Sequence, residues 1–412
     1  MIHPSPLSKS LEGIDPNLMH TEISDPMLIA ESSFVNEPGV ERWGYYQFPQ
    51  LSRLLDGRIA VTFHINADSA SAYGKAAIEP NRGVSSDGGK TWERIGSGDP
   101  EAGLLLPNGE RLLVANPAVT PVAHAISSYD LPPERGTVIG TYGQQPYVCY
   151  RHDELPSELQ GVPSARMSVG ATIWIKERAR LDDPQLLRFS TEGVFPVTCW
   201  GDVHVTPDKA LLAVVYPSRI EGHSFRQMHT VCYRSEDNGL SWQAQGRMLY
   251  QPDRTADPLS DKRDGFTEPT CVLLPDGEMV VVMRTTDGNG DGPLYLSRSE
   301  NEGRDWSTPK VIRNNGALPR LLRLGNGVLV MSSGRPGADM SFSLDGRGEE
   351  WTERYPLVPI TSDYTQHDSC GYTSMLALDD DSFLITYSWF RKPSSDGQTR
   401  KAILVRHVKV SV

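Results

Sequence analysis

Six short polar turns in the sequence each separate two apolar runs, and the residues about eight positions from these turns share a chemical character. In a hairpin, residues equally far before and after the turn lie side by side at the open end, and eight strand residues span roughly 26 Å. Counting back and forward from the turns selects a polar and aromatic set: Gln47, Trp200, Glu268, Tyr372, His64, Asn116, Tyr216, Arg284, Arg335 and Trp389. The convergence of such residues on one face predicts a pocket.

The two arginines of this set, Arg284 and Arg335, suit an anionic ligand. A guanidinium stays charged and can hold a carboxylate in plane through two hydrogen bonds. The chain as a whole has a formal net charge of -12, which argues against nucleic acid as a partner. A local arginine pair can still bind a small anion within such an acidic surface.

The elements that must position these side chains are β-hairpins. Asp-Gly and Asn-Gly between apolar runs are the strongest short-range hairpin signal, and long amphipathic helix patterns are scarce. The six hairpin segments are "LLDGRIAVTF" (54–63), "LLLPNGERLLV" (104–114), "VTPDKALLAVV" (205–215), "LLPDGEMVVVM" (273–283), "RLGNGVLVM" (323–331) and "LALDDDSFLITY" (376–387).

A second repeat is interleaved with the hairpins: "SSDGGKTW" (85–92), "SEDNGLSW" (235–242), "SENEGRDW" (299–306) and the looser "SLDGRGEEW" (343–351). Its Ser, Asp and Gly residues favour a tight turn, and its Trp is expected to be buried beside that turn, at the end of the strands away from the pocket. Two interleaved repeats predict four-stranded sheets in an all-β, six-bladed β-propeller. Seven blades are the alternative, because residues 115–200 could hold another.

We expect residues 1–412 to form a single propeller domain, with about residues 1–40 as an N-terminal extension that packs on or closes the propeller. The segments "ISSYDLPPERGTVIG" and "RHDELPSELQGVPSARM" are predicted to be blade insertions that overhang the pocket. No membrane partner is expected, because no apolar stretch reaches 18 residues. No signal peptide is visible, so a cytoplasmic location is expected unless a leader was removed. The cysteine spacing predicts no metal site, and no cofactor is expected.

The second repeat resembles the Asp-box, Ser-x-Asp-x-Gly-x-Thr-Trp, of the sialidase (neuraminidase) superfamily. The copy at 85–92 matches it fully, and the next two match with conservative changes. Three further segments resemble parts of a sialidase that carry functional residues: "GFTEPTCVLLPDGEMVVVMRTTDG", "GRPGADMSFSLDG" and "CGYTSMLALDD". The resemblance runs from about residue 45 to the C-terminus and implies a sialidase-like propeller.

The resemblance implies a role for five residues. Tyr372 would be the nucleophile, Glu268 its general base and Asp68, in "HINADSASAYG", the acid/base, while Arg284 and Arg335 would bind the substrate carboxylate. A tyrosine nucleophile suits a sugar with a carboxylate on its anomeric carbon, because an anionic nucleophile would be repelled there. A phenol with a pKa of about 10 needs a neighbouring base at neutral pH.

One departure from the family pattern concerns Gln47. Sialidases begin the first blade with Arg-Ile-Pro, whereas this chain has "YYQFPQL". Losing a charged hydrogen bond costs about 1.5–3 kcal/mol. His64 is expected at the same face and could compensate in part, and Tyr216 and Trp200 are expected to complete the substrate-binding surface.

Three functions remain open from the sequence. The first is a sialidase-like retaining exo-glycoside hydrolase that acts on a terminal acidic sugar, sialic acid or a related one. The second is a lyase or hydrolase of a uronate- or rhamnose-containing polysaccharide, with His64, His204 or Tyr216 as acid or base. The third is a non-catalytic propeller that binds glycans. In each case the expected partner is a glycan or oligosaccharide, and no oligomeric state is predicted.

Overall fold

The structure, a computed structural model, is built almost entirely of β-strands. It describes residues 19–35, 42–69, 72, 77, 79–95, 100–115, 123–132, 136–139, 146–190, 194–196, 199–222, 227–286, 292–358 and 368–412. The predicted N-terminal extension therefore lies partly outside the described residues, and so does Asn116.

The strands follow one another along the chain with three short 3-10 helices described between them. The strands are β1 His20–Ile23, β2 Met27–Glu31, β3 Tyr45–Arg53, β4 Ile59–Ile65, β5 Arg82–Ser85, β6 Glu93–Ile95, β7 Leu104–Leu105, β8 Arg111–Val114, β9 Ala123–Ala125, β10 Gly136–Ile139, β11 Pro146–Arg151, β12 Val162–Met167, β13 Ile175–Asp182, β14 Leu186–Ser190, β15 Val194–Pro196, β16 Cys199–Val205, β17 Leu211–Ile220, β18 His229–Ser235, β19 Ser241–Met248, β20 Thr267–Leu273, β21 Met279–Arg284, β22 Leu294–Ser299, β23 Lys310–Arg313, β24 Ala317–Arg323, β25 Leu329–Gly334, β26 Ala338–Ser343, β27 Tyr355–Pro356, β28 Thr373–Ala377, β29 Ser382–Pro393 and β30 Thr399–Ser411. The 3-10 helices are Ile126–Ser128, His152–Glu154 and Ser260–Lys262.

Three sheets are plain four-stranded antiparallel meanders: β3 to β6, β20 to β23, and β24 to β27. Each begins with a predicted hairpin. All six predicted hairpins form, as β3/β4, β7/β8, β16/β17, β20/β21, β24/β25 and β28/β29. Turn chemistry and apolar alternation, both local in sequence, were sufficient to locate them.

Two further meanders are joined into one larger sheet. The strands β7, β8, β12 and β13 pair in that order, β16 to β19 pair in theirs, and a parallel pairing of β13 with β19 connects them. Strand β14 also pairs with β17 and brings β10 and β11 into the sheet. The end of the second predicted insertion, Val162–Met167, is therefore a sheet strand paired with β8, which corrects the expectation that the whole segment is an insertion.

The last sheet combines both ends of the described chain. Strands β28, β29 and β30 form a meander, and the N-terminal strands β1 and β2 pair antiparallel with β30. Ile29 of β2 is 7% exposed and packs against Gly83 of β5, in the neighbouring sheet. A Cβ on Gly83 would lie 2.6 Å from the Ile29 side chain, so a glycine is required for this approach.

Consecutive sheets contact each other through their first strands. Thr270 of β20 donates a hydrogen bond to Asp202 of β16 (2.7 Å), and the Leu51 backbone N–H of β3 donates to Ser374 of β28 (3.1 Å). Strand β24 contacts both β20 and β28. First strands that face a common centre are typical of a propeller-like arrangement; the blade number of six stays a prediction.

The Asp-box turns share one hydrogen-bond pattern. In the first copy, Asp87 accepts bonds from the backbone and hydroxyl of Thr91 (2.9 and 2.6 Å), and Ser85 accepts one from the Gly89 N–H (2.8 Å). The Trp92 indole N–H donates to the Gly89 carbonyl (3.0 Å). The same Gly-to-Ser bond recurs at 2.8 to 3.0 Å in the other three copies.

The tryptophans of the boxes lie away from the strand ends that carry the predicted pocket. Trp242 is fully buried, as predicted, whereas Trp92 and Trp306 are half-buried. In the sheet of the third box, Ser299 pairs with Met279 at one end of β21, while Arg284 ends the same strand at the other. The boxes are therefore structural features of the opposite rim.

Candidate active site

Irregularities near the start of four first strands orient the residues of the site. The pairing register shifts in β3, β16, β20 and β24 close to the N-terminal end of each strand. Three of these strands hold a residue with positive φ there: Phe48 (52°), Glu268 (45°) and Leu318 (37°). An extra residue in a strand redirects its side chain, and a non-glycine residue with positive φ is strained, a combination that is concentrated at functional sites.

Tyr372, Glu268 and Arg284 form one hydrogen-bonded chain, as the sequence predicted. The Tyr372 hydroxyl donates to Glu268 Oε1, and Arg284 Nη1 donates to Glu268 Oε2 at 2.9 Å. The backbone N–H of Leu318, from the irregular part of β24, donates to the same Oε2 at 2.9 Å. Glu268 is 6% exposed and Arg284 4%, so this ion pair is shielded from solvent.

The surroundings of Glu268 favour its charged form. Burial on its own raises the pKa of this carboxyl, but the charge of Arg284 and the hydrogen bond from Tyr372 outweigh burial and hold the pKa below its ordinary value. The more distant charge of Arg335 acts in the same direction. A buried carboxylate therefore stands ready to accept the phenolic proton.

Arg335 lies on the other side of the Tyr372 ring. Its guanidinium carbon is 6.0 Å from the ring centroid, and its Nε donates to the Cys370 carbonyl at 3.1 Å. Glycines allow this approach, since a Cβ on Gly371 would lie 2.8 Å from the Arg335 side chain and one on Gly334 would lie 2.1 Å from Gly371. The described residues give Arg335 this one hydrogen bond, which leaves its terminal nitrogens for a ligand.

Aromatic rings that the hairpin count did not select surround Arg335 and Tyr372. Phe48 packs on Tyr372 with ring centroids 5.0 Å apart, and the Trp43 ring lies 5.3 Å from the Arg335 guanidinium. Phe390 meets Trp43 edge-on at 6.0 Å. The aromatic run "WGYYQF" in the sequence is the signal that could have indicated two of these rings.

Asp68, the proposed acid/base, lies in the exposed loop after β4 and reaches the site through Trp43. The Trp43 indole N–H donates to Asp68 Oδ2 at 3.0 Å. Trp43 in turn faces Arg335, which borders Tyr372. The position of Asp68 across the sugar from Tyr372 stays a prediction.

Gln47 and His64 occupy paired positions in β3 and β4, as the hairpin count predicted. Gln47 is fully buried, and within the described residues neither polar atom of its side chain has a hydrogen-bond partner. His64 Nδ1 lies 2.9 Å from the Gly44 carbonyl and donates to it, so in the neutral ring Nε2 is the acceptor. The Phe48 ring lies 5.9 Å from the His64 ring.

Trp200 and Tyr216 lie at the paired ends of β16 and β17, one residue out of direct register. Asp202, in the same strand as Trp200, accepts the bond from Thr270 that ties this sheet to the sheet of Glu268. Their backbones are thus at the same rim as the other candidates. A role in binding stays a prediction for both.

A cation has no evident binding place in the described part of the chain, where no group of three or more His, Cys, Asp or Glu residues could hold a metal ion. None of the described helices is both long and apolar enough to cross a membrane.

Residues 177–390, just over half of the chain, match the family described as BNR repeat-like domain. The chain belongs to the BNR repeat-like family. Its Asp-box turns and its sheet arrangement place it in the sialidase-like superfamily that the sequence resembles.

Solved structures similar to this BNR-family chain share its fold at low sequence identity. A protein of unknown function from Dyadobacter fermentans is 16% identical, with 95% of this chain and 99% of that chain covered and a TM-score of 0.58. A mutant of NanB sialidase from Streptococcus pneumoniae is 10% identical, with coverages of 92% and 70% and a TM-score of 0.50. An α-L-arabinanase from Penicillium chrysogenum is 13% identical, with coverages of 93% and 98% and a TM-score of 0.46. Comparison with curated proteins gave no match.

Proposed function

We propose that this BNR-family protein is a sialidase-like retaining exo-glycoside hydrolase that releases a terminal acidic sugar. The observation that supports this most is the hydrogen bond from the Tyr372 hydroxyl to the buried carboxylate of Glu268. A tyrosine activated by a carboxylate base is suited to attack an anomeric carbon that itself bears a negative group.

In the first step, the Tyr372 oxygen forms a bond to the anomeric carbon while its proton passes to Glu268. The bond from that carbon to the glycosidic oxygen breaks, and Asp68 protonates the departing oxygen. The product is a glycosyl-tyrosine intermediate and a free alcohol.

In the second step, water attacks the anomeric carbon from the side that the leaving group vacated. Asp68, now a carboxylate, takes a proton from that water, and the bond to the Tyr372 oxygen breaks as Glu268 returns its proton. Two inversions at one carbon give net retention of configuration.

Arg335 and Arg284 would bind the carboxylate of the substrate, with Gln47 offering a neutral amide beside them. Arg284 already neutralises Glu268 (2.9 Å), so Arg335 is the guanidinium that carries the uncompensated charge. Replacing a charged donor by an amide costs about 1.5–3 kcal/mol of binding. We therefore expect weak activity on ordinary sialosides and a preference for another acidic sugar, such as a uronate.

The test is a panel of sialosides and uronate-containing glycans, with products and intact protein analysed by mass spectrometry. Wild-type protein should release a free acidic sugar and, after rapid quenching, show a covalent adduct on the peptide that contains Tyr372. Tyr372→Phe should form no adduct and lose at least about 100-fold in kcat with little change in ligand affinity. Tyr355→Phe, at an exposed tyrosine of β27, is the matched control and should behave as wild type.

A uronate lyase is the second candidate, favoured by the orientation of His64. Its Nδ1 bond to the Gly44 carbonyl leaves Nε2 as a proton acceptor within the aromatic surround of Tyr372. A lyase would yield an unsaturated uronide, lose its activity in His64→Ala and keep its rate in Tyr372→Phe. That pattern would exclude the hydrolase roles proposed for Tyr372 and Glu268.

A further inference from the structure

We propose that Trp43 is a positioning residue that holds the acid/base Asp68 and the ligand-binding Arg335 in one fixed arrangement. This inference rests on the proposed function, in which Asp68 protonates the leaving group. Trp43 does not touch the reacting atoms; it acts through these two neighbours.

Trp43 is attached to Asp68 twice. Its indole N–H donates to Asp68 Oδ2 at 3.0 Å, and its backbone carbonyl accepts a hydrogen bond from the Asp68 N–H at 3.2 Å. Asp68 is exposed and follows the end of β4, where a side chain has considerable rotational freedom. Two bonds to a single residue fix both its backbone and its carboxylate, as a productive proton transfer requires.

Gly44 makes this double attachment possible. A Cβ on Gly44 would lie 2.3 Å from the Asn66 carbonyl oxygen and 2.4 Å from the Asp68 nitrogen, and the residue has φ of +95°. The loop that carries Asp68 therefore packs directly on the Trp43–Gly44 backbone. The Gly44 carbonyl also accepts the bond from His64 at 2.9 Å, which attaches the same segment to β4.

The other face of the arrangement is Arg335. Its guanidinium lies 5.3 Å from the Trp43 ring centroid, a cation–π distance. The ring is half-buried and kept in place by edge contacts with Phe390 (6.0 Å) and Phe48 (6.3 Å). One indole therefore fixes the carboxylate through its edge and the guanidinium through its ring.

The two contacts can be separated by substitution. Trp43→Phe retains an aromatic ring for Arg335 but removes the donor to Asp68, whereas Trp43→Leu removes both. Loss of a well-placed general acid slows the departure of a poor leaving group much more than that of a good one. Loss of the ring beside Arg335 weakens binding of an acidic sugar.

The experiment compares the methyl and 4-nitrophenyl glycosides of N-acetylneuraminic acid in wild-type, Trp43→Phe, Trp43→Leu and Asp68→Asn protein. Trp43→Phe should lower kcat on the methyl glycoside about tenfold or more, change kcat on the nitrophenyl glycoside less than about threefold, and leave KM unchanged. Trp43→Leu should also raise KM several-fold. Trp92→Phe removes an indole bond of the same length on the opposite rim and should match wild type.

The outcomes separate this inference from the proposed function. If Asp68→Asn slows the methyl glycoside selectively but Trp43→Phe matches wild type on both substrates, the role of Trp43 is wrong and the hydrolase proposal stands. Equal losses on both substrates in Trp43→Phe would indicate a merely structural role and also overturn it. If wild-type protein cleaves neither glycoside, or Asp68→Asn shows no dependence on the leaving group, the acid role of Asp68 fails and the Trp43 inference fails with it.

Discussion

The charge of Glu268 is determined by a few short contacts. Its carboxylate accepts hydrogen bonds from a phenol, a guanidinium and a backbone N–H, contributed by Tyr372, Arg284 and Leu318. Burial alone would favour the neutral acid. The state of this one group therefore depends on Arg284 remaining charged beside it.

The pH dependence of activity tests this balance. A base must be deprotonated to work, so the lowered pKa of Glu268 keeps it active below the ordinary range of a glutamate. Arg284→Gln removes the strongest opposition to burial, which raises the pKa and moves the acidic limb of the kcat/KM profile to higher pH. Arg284→Lys keeps the charge, so the limb should move less while KM rises through loss of the planar fork. An unchanged acidic limb in Arg284→Gln would show that Glu268 is not the base.

The sequence was informative for residues whose place follows from a nearby turn. Glu268 and Tyr372 each precede a hairpin by about eight residues, and their hydrogen bond fits that register. Trp43 could not be found in this way, because it precedes β3 and meets Asp68, 25 residues later, only through the folded loop. A contact of that kind depends on tertiary packing and leaves no periodic signal.

At the scale of the elements, hairpins and strand irregularities differ in how they are encoded. An Asp-Gly or Asn-Gly turn between apolar runs specifies a hairpin by itself. The register shifts in β3, β16, β20 and β24 have no such local code, since each depends on contacts with the neighbouring first strand, such as that of Leu318 with Glu268. The sequence could therefore predict which strands hold the site, but not the backbone turns that orient its side chains.

The Asp-box tryptophans should contribute to stability and not to the chemistry of the site. Trp242 is fully buried among Leu112, Leu211 and Ala213, between two meanders. Trp242→Ala should lower the free energy of unfolding by about 3–5 kcal/mol, measured by chemical denaturation, and leave KM unchanged. Trp92→Ala, at a half-buried box tryptophan, should cost less. A large change in KM without loss of stability in Trp242→Ala would contradict the structural role.

At the scale of the whole molecule, the last sheet depends on both ends of the chain. Strand β30, near the C-terminus, has β29 on one side and the N-terminal β1 and β2 on the other. The core at this junction includes Ile29, Leu51, Leu384 and Ile403, which come from three separate parts of the sequence. Residues that lie far apart along the chain must meet before this part of the core is complete.

Substitutions in β2 test that dependence within a single strand. Ile29→Ala should lower the free energy of unfolding by about 2–4 kcal/mol, because it leaves a cavity against Gly83 of the adjoining sheet. Leu28→Ala is the matched control, since Leu28 is 48% exposed and its truncation should change stability by less than about 1 kcal/mol. Equal effects of the two substitutions in a denaturant titration would show that β2 does not support the core.

The irregular first strands also bear on how this protein can change over evolutionary time. Phe48, Glu268 and Leu318 stand at similar positions of three sheets, where the backbone and not the side chain creates the irregularity. Mutations beside these positions can exchange one ligand-facing group for another while the outer strands and Asp-box turns remain intact. Gln47, beside Phe48 in β3, is an example of such an exchange, and a lineage can acquire a new sugar preference there through a single codon without first losing a stable protein.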